Sequence, residues 1–213
     1  MSASIASLDH LAVLLLAMPI EDRRTRERTA RRELIVRTAR QLAEAEGWDA
    51  VTTRRLSSEI EYSQPVLYAH FANMDQLAQA VAVDGFGELA AALRTTRTGA
   101  STPTESLAYL ARAYLDFARD NPALYDAMFT RSTTLHFAAE DTPSELEAAF
   151  AELREAVSGL EAQHDSDTLA EVFWSALHGM VTLGRAGRLR PDHAANRVDL
   201  LITQICLARQ TAR

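Results

Sequence analysis

The amino-acid sequence predicts an all-α fold: three short helices, a long connecting helix and a five-helix bundle. Three observations predict it. Apolar residues recur at helical spacing almost throughout, with no sustained alternation of β-branched and polar residues. Only 8 Gly and 6 Pro punctuate the 213 residues, too few for a turn-rich all-β protein. Apolar residues make up 47% of the chain, enough to bury a sizeable core and to exclude wholesale disorder.

The first clear helix is expected over 31–46, where Ile35, Ala39 and Leu42 form one stripe at i, i+4, i+7. Gly47 suits the left-handed position after its end, and Trp48 is expected to pack back on the stripe. Thr52 or Thr53 caps a short helix that ends near Ile60. A tight turn over 61–63 follows. Ser63 caps the next helix, and Pro65 sits in its first turn, where a missing N–H costs nothing. Leu67 and Phe71 point inward from it. Asn73 or Met74 opens a long helix to about Leu93, and the small polar stretch 95–103 (TTRTGASTP) reads as a hinge. Five helices are expected beyond it, near 104–119, 122–130, 143–163, 167–186 and 192–209. Asn121-Pro122 and Arg190-Pro191 separate two pairs of them, because a residue before proline resists the α conformation. The expected organisation is an N-terminal extension with a basic arm over 1–30, a head over 31–91 and a bundle over 92–213.

Charge and composition remove several function classes. The net charge of −7 argues against indiscriminate coating of nucleic acid. All 22 basic residues are arginine, so lysine chemistry such as a P-loop lysine or a Schiff base is excluded. The 23–40 block holds 8 Arg against Glu27 and Glu33 and can neutralise phosphates locally, although a solvated helix face or a flexible arm reads equally well. The single cysteine, Cys206, excludes a disulfide framework and a multi-thiolate metal site, and reads as a small buried hydrophobe. The six histidines are scattered, with no H-E-x-x-H helix, G-x-S-x-G elbow or strand-linked G-x-G-x-x-G. No enzyme, metal or cofactor is expected. Segment 8–18 (LDHLAVLLLAM) is too short to span a bilayer and lacks a preceding basic residue, so it makes a poor signal peptide. A cytoplasmic protein without membrane contact is expected.

The helix pair around 61–63 carries the functional signal. Short helix, tight turn and short helix form a helix-turn-helix arrangement. With Leu67 and Phe71 committed inward, Gln64, Pro65, Val66, Tyr68 and His70 fall on or near the exposed side. Gln can pair with an adenine edge, and Pro and Val can meet a thymine methyl. Tyr68 and His70 can reach phosphates, and Arg54 can reach guanine or phosphate.

Residues 31–91 resemble the DNA-binding domain of the TetR family of bacterial transcription regulators. The carriers are Val51-Thr52-Thr53-Arg54-Arg55-Leu56 and Gln64-Pro65-Val66-Leu67-Tyr68-Ala69-His70-Phe71, close to the tetracycline-repressor branch. The resemblance implies that Arg54, Gln64, Pro65 and Tyr68 face bases, while Thr52, Thr53, Ser63 and His70 face phosphates. Two positions depart from the family pattern. Glu61 stands where glycine is usual and is expected to be forced towards positive φ or into a different turn. Met74 stands where lysine is common, which removes a phosphate contact that the 23–40 block can replace, as N-terminal arms do in other DNA binders.

The second half resembles the Trp-His-Gly type of TetR-family C-terminal domain, through Trp174, Leu177, His178, Gly179 and Met180 and through Asn121-Pro122 with 124–129. The resemblance implies a helical regulatory domain with a small-molecule pocket and a dimer interface. Tyr125, Met128, Phe129, Phe137, Phe150, Trp174 and His178 are the candidate pocket residues, although each also reads as plain core. His178 is the candidate polar anchor, or else a structural histidine. Ten of the 15 positions over 169–183 are apolar, and Val198, Leu201, Ile202, Ile205 and Ala208 form a second broad face. Two such helices suit a four-helix bundle with a symmetry mate. The expected function is a homodimeric regulator, a repressor that leaves double-stranded operator DNA when a small-molecule effector binds. The alternative is an all-helical protein-interaction module without specific DNA binding.

Overall fold

A computed structural model describes residues 20–131, 135–137, 139–160 and 165–207; within them the chain is helical, with no strand. Helix α1 (Ile20–Glu46) buries Ile35, Ala39 and Leu42 on one face, as their spacing requires. Helices α2 (Thr53–Glu59) and α3 (Gln64–His70) contribute Leu56 and Leu67 to the same core. Helix α4 (Met74–Thr98) is the spine. Its first half closes the head through Leu77 and Val81, and its second half enters the bundle through Phe86, Leu89 and Leu93. The bundle comprises α5 (Pro103–Asp120), α6 (Pro122–Phe129), α7 (Ser144–Ser158), α8 (Ser166–Arg185) and α9 (Ala194–Leu207). Helix α4 packs on α5, α6 and α7, α8 packs on α7 and α5, and α9 packs on α5. Head and bundle therefore share one continuous hydrophobic core.

Polar side chains set the helix starts. Thr52, Asn73, Thr102 and Asp165 each accept a backbone N–H three residues on, at 3.2, 2.8, 3.1 and 2.9 Å.

Several boundaries differ from the sequence expectations. Helix α1 starts at Ile20 instead of residue 31, so the described part of the basic block is regular helix and not an extended arm. Its first turn carries Glu21 and Asp22, which complement the helix dipole, and the following Arg, Glu and Ala residues are good helix formers. Helix α4 runs on to Thr98, which shortens the expected hinge to residues 99–102. The threonines do not break it, because the Thr95 and Thr98 hydroxyls bond the carbonyls of Ala91 and Arg94, four residues back. Helix α7 ends at Ser158 and α9 begins at Ala194, after a short 3₁₀ turn over Pro191–His193. The 8–18 segment and Ala208 lie outside the described residues.

The α2–α3 turn takes the first of the two courses expected for Glu61. Its φ is 55°, the one positive value at a non-glycine among the described residues. Tyr62 N–H donates to the Ser57 carbonyl at 3.2 Å, the six-to-one bond of a Schellman end. A side chain in this region costs about 1–2 kcal/mol, and glycine's extra unfolded-state entropy offsets roughly half of that. Glu61→Gly is therefore expected to stabilise the fold by about 0.5–1 kcal/mol. A chemical denaturation series that shows no gain, or a loss, contradicts this account of the turn.

Candidate nucleic-acid interface and effector pocket

The exposed side of α3 presents Gln64, Pro65 and Tyr68, with Tyr68 55% exposed, while Leu67 and Phe71 are buried beneath. Val66 and His70 are half-buried. Ser63 stands at the N-cap position, but its hydroxyl makes no capping bond. On α2, Arg54 is exposed, whereas Arg55 is tied to Glu46 at 2.9 Å and Glu59 at 3.0 Å. The Thr52 hydroxyl is occupied as the α2 cap. Thr53 Oγ1 lies 3.5 Å from Tyr68 Oη and donates to Met74 Sδ at 3.7 Å. Met74 thus fills the joint between α2 and α4, where the family pattern has a lysine.

The far end of α3 meets α1. The Arg32 guanidinium lies 4.3 Å from the Phe71 ring centroid and donates to the His70 carbonyl at 3.4 Å. Burial, and then the charges of Arg28, Arg31 and Arg32, hold the His70 imidazole below its ordinary pKa. This surface has the chemistry that major-groove reading needs: Arg and Gln for base edges, an apolar Pro-Val pair, and hydroxyls with cations at its margin.

The bundle holds a directed hydrogen-bond chain. Trp174 Nε1–H donates to Tyr114 Oη at 3.0 Å, Tyr114 and Tyr125 hydroxyls lie 2.9 Å apart, and Tyr125 Oη lies 2.7 Å from His178 Nδ1. Burial pushes the Tyr114 hydroxyl up to about 12, and burial with Tyr114 beside it pushes Tyr125 higher still. Burial, reinforced by Arg185, lowers the His178 pKa. All four groups are then neutral at pH 7, and one direction satisfies every donor: Trp174 to Tyr114 to Tyr125 to His178. The tautomer follows from these bonds, with the proton on Nε2.

An open cavity of about 420 Å³ lies in front of His178, walled by Met128, Phe129, Phe137 and Trp174 with Arg131, Leu135 and Ser175. A second, of about 550 Å³, adjoins it across Phe137 and Trp174 and is bounded by Phe150, Leu146, Glu147 and Arg154. Six of the seven expected pocket residues line one or the other. Tyr125 lines neither: it is 1% exposed and stands behind His178, stacked on it at 5.7 Å. Phe137 is 42% exposed, a rim residue held edge-on to Phe86 at 5.6 Å.

Pocket and head meet at the first turn of α6. The Glu44 carboxylate on α1 accepts both Ala123 N–H, at 3.0 Å, and Leu124 N–H, at 2.9 Å. Trp48 does not pack back on α1 alone; its Nε1–H donates to the Ala123 carbonyl at 2.8 Å, and Arg131 lies over its ring at 5.1 Å. Arg40 donates to Asn121 Oδ1 at 2.8 Å and pairs with Glu88. Sequence reasoning missed Glu44, Tyr114 and Arg131. No local spacing marks them, since the partners of Glu44 are 79 and 80 residues away and Trp174 is 60 from Tyr114.

Comparison with known proteins agrees with this arrangement. Residues 35–81 match the bacterial regulatory proteins of the tetR family, and residues 107–205 match the tetracyclin repressor-like C-terminal domain. An HTH-type transcriptional regulator of Mycobacterium tuberculosis is 31% identical over 157 residues, 73% of this chain and 71% of the relative. The chain belongs to the TetR family. It is accordingly a DNA-binding transcriptional regulator with a helix-turn-helix head. The class C tetracycline repressor protein of Escherichia coli is 43% identical to it over 51 residues, 24% of this chain and 23% of that repressor. Among solved structures, a protein from Rhodococcus sp. RHA1 shares the TetR fold with a TM-score of 0.70 at 24% identity, over 83% of this chain and 93% of that one. RolR in complex with resorcinol shares it with a TM-score of 0.60 at 16% identity, over 87% and 94%. Among the described residues no helix of this TetR-family chain is long and apolar enough to cross a membrane.

The lowered His178 pKa sets a pH dependence. The folded state favours the neutral ring, so its contribution to stability is complete above the unfolded-state pKa of about 6.5 and is lost as pH falls through the folded value. His70 acts in the same direction. His178→Gln is expected to flatten the fall in thermal midpoint between neutral and mildly acidic pH. An unchanged pH profile in that variant contradicts the neutral-histidine chain.

Proposed function

We propose that this TetR-family regulator is a ligand-responsive repressor: a homodimer that binds operator DNA and releases it when a small molecule enters the bundle. The observation that carries the DNA-reading half is the shared exposure of Arg54, Gln64, Pro65 and Tyr68 above a buried Leu67 and Phe71. Arg54, Gln64, Pro65, Val66 and Tyr68 serve as base readers. Thr52, Thr53, Ser63 and His70 lie along the phosphates.

The outer faces of α8 and α9 support the dimer. Helix α8 turns Ala170, Phe173, Leu177 and Val181 inward, yet leaves Val172 56% and Leu183 42% exposed. Helix α9 leaves Leu200 60% and Leu207 44% exposed. The breadth of the apolar pattern over 169–183 thus divides into an inner stripe and an outer stripe, and the outer one suits a symmetry mate.

The aromatic cavity before His178 supports a flat, mostly apolar guest with one hydrogen-bonding group. Its wall is also the lever. Phe129 belongs to α6, whose first turn is bonded to α1 and whose middle presses on α4 at Gly85. A Cβ at Gly85 would lie 2.7 Å from Leu124 and 2.8 Å from Met128, so no side chain separates the two helices. A guest that displaces α6 displaces the head, and if it prefers one head arrangement it must, by linkage, weaken DNA that prefers the other.

Arg54→Ala and Tyr68→Ala are each expected to weaken specific binding to DNA upstream of the chain's own gene by about 10- to 100-fold, corresponding to roughly 1–3 kcal/mol. His178→Ala is expected to retain that binding. Normal footprints from both head variants overturn the assignment of α3 to the groove. Separately, Val172→Glu combined with Leu200→Glu is expected to sediment as a monomer. A variant that still sediments as a dimer places the interface elsewhere.

A further inference from the structure

Most of the basic block of α1 has no role in the packing of the helix-turn-helix unit, which it meets through Arg32, and its geometry is specific. Every residue from Glu21 to Glu33 is exposed, whereas Ile35 and Ala39 on the same helix are fully buried. The first three turns therefore project past the head, by ~16 Å between Ile20 and Arg31 at 1.5 Å per residue. Arg24, Arg28 and Arg31 recur at i, i+4, i+7 and extend the line of Ile35, Ala39 and Leu42. The side of α1 that packs on the head thus continues outward as a row of guanidinium groups.

That row overhangs the end of α3. Arg32, one turn beyond Arg28, bonds the His70 carbonyl and covers Phe71. Arg28 and Arg31 are close enough for their charge to act on the His70 ring. Arg24 and Arg28 make no ion pair among the described residues, and Arg31 reaches Glu27 at 3.7 Å on an exposed face, a contact worth little. Cations left unpaired beside a groove-reading helix, on a chain of net charge −7, match a polyanion and not the protein's own surface.

We infer that Arg24, Arg28 and Arg31 hold backbone phosphates flanking the groove that α3 enters, forming a second DNA-contacting surface outside the helix-turn-helix unit. The inference rests on the DNA-binding reading above. These contacts carry no sequence information; they set register and add affinity. They also supply charge on the DNA side of a head that has Met74 in place of a lysine.

The test uses the full-length chain and a duplex that the wild-type protein recovers from a randomised library, with a scrambled duplex of equal length beside it. Binding is measured across a sodium chloride series for the wild type, Arg28→Gln and the triple variant Arg24→Gln/Arg28→Gln/Arg31→Gln. Each phosphate contact contributes about 0.9 to the slope of log K against log salt, so the triple variant is expected to lose up to ~2.7 per bound chain. Affinity at physiological salt then falls on the order of 100-fold, with the preference for the recovered duplex unchanged. Arg119→Gln, on α5 and paired there with Asp116 and Asp120, is expected to leave the slope as it was. Should the triple variant misfold by circular dichroism, the single variant decides, with an expected loss of about 0.9. Unchanged slopes and unchanged hydroxyl-radical protection overturn this inference while leaving α3 in the groove. A wild-type chain that recovers no duplex overturns both readings.

Discussion

A carboxylate on one helix caps the first turn of another, and the rest of the architecture depends on it. Helix α6 spans only Pro122–Phe129 and cannot persist alone, because a helix this short does not recover the cost of its nucleus. Its own N-cap residue, Asn121, makes no capping bond and spends its side-chain amide on the Phe117 carbonyl. Glu44 fills the vacancy from α1, accepting two otherwise orphaned N–H groups with a full negative charge at the positive end of the dipole. A charge-assisted bond of this kind is worth about 1.5–3 kcal/mol. Trp48 and Arg40 add bonds to the Ala123 carbonyl and the Asn121 side chain. The head therefore grips the helix that forms one wall of the pocket.

A second constraint lies behind that wall. Four polar side chains with aromatic rings, Trp174, Tyr114, Tyr125 and His178, meet in an apolar interior, where an unmatched donor would be costly. They are arranged so that each donor finds one acceptor, ending on a neutral imidazole. This leaves Nε2–H of His178 as the spare polar group on the cavity side of Tyr125. It also makes α5, α6 and α8 interdependent, since each contributes at least one member.

Charge is handled by location. The chain is acidic overall, yet eight of its arginines cluster over 23–40, while several in the bundle pair with carboxylates. Arg94 and Arg97 clasp Glu152, which is 5% exposed, and Arg185 bonds Asp126 while lying over Tyr125. Because Arg94 and Arg97 stand on the last turns of α4 and Glu152 on α7, the pairing secures the far end of the spine to the bundle. The end of the spine that begins beside α3 is secured by packing, with Met74 against Thr53.

Much of this was legible in the chain before any coordinates. Helical spacing, the Thr52 and Asn73 caps, the prolines at 65 and 122 and the odd glutamate at position 61 are local signals, and local signals determine helices and turns because their physics spans only three or four residues. The exposed face of α3 was readable for the same reason: with Leu67 and Phe71 assigned inward, Gln64, Pro65 and Tyr68 face out, although Val66 and His70 are half-buried. The start of α1 and the end of α4 were misjudged because arginine and threonine runs look like loop, while in place they bond or project as ordinary helix. Tertiary structure alone decided which carboxylate caps α6, which tyrosine stands behind His178 and which side of α8 stays uncovered. Those choices join residues 50 to 80 positions apart, and no spacing rule reaches that far; only packing brings such groups within hydrogen-bonding distance.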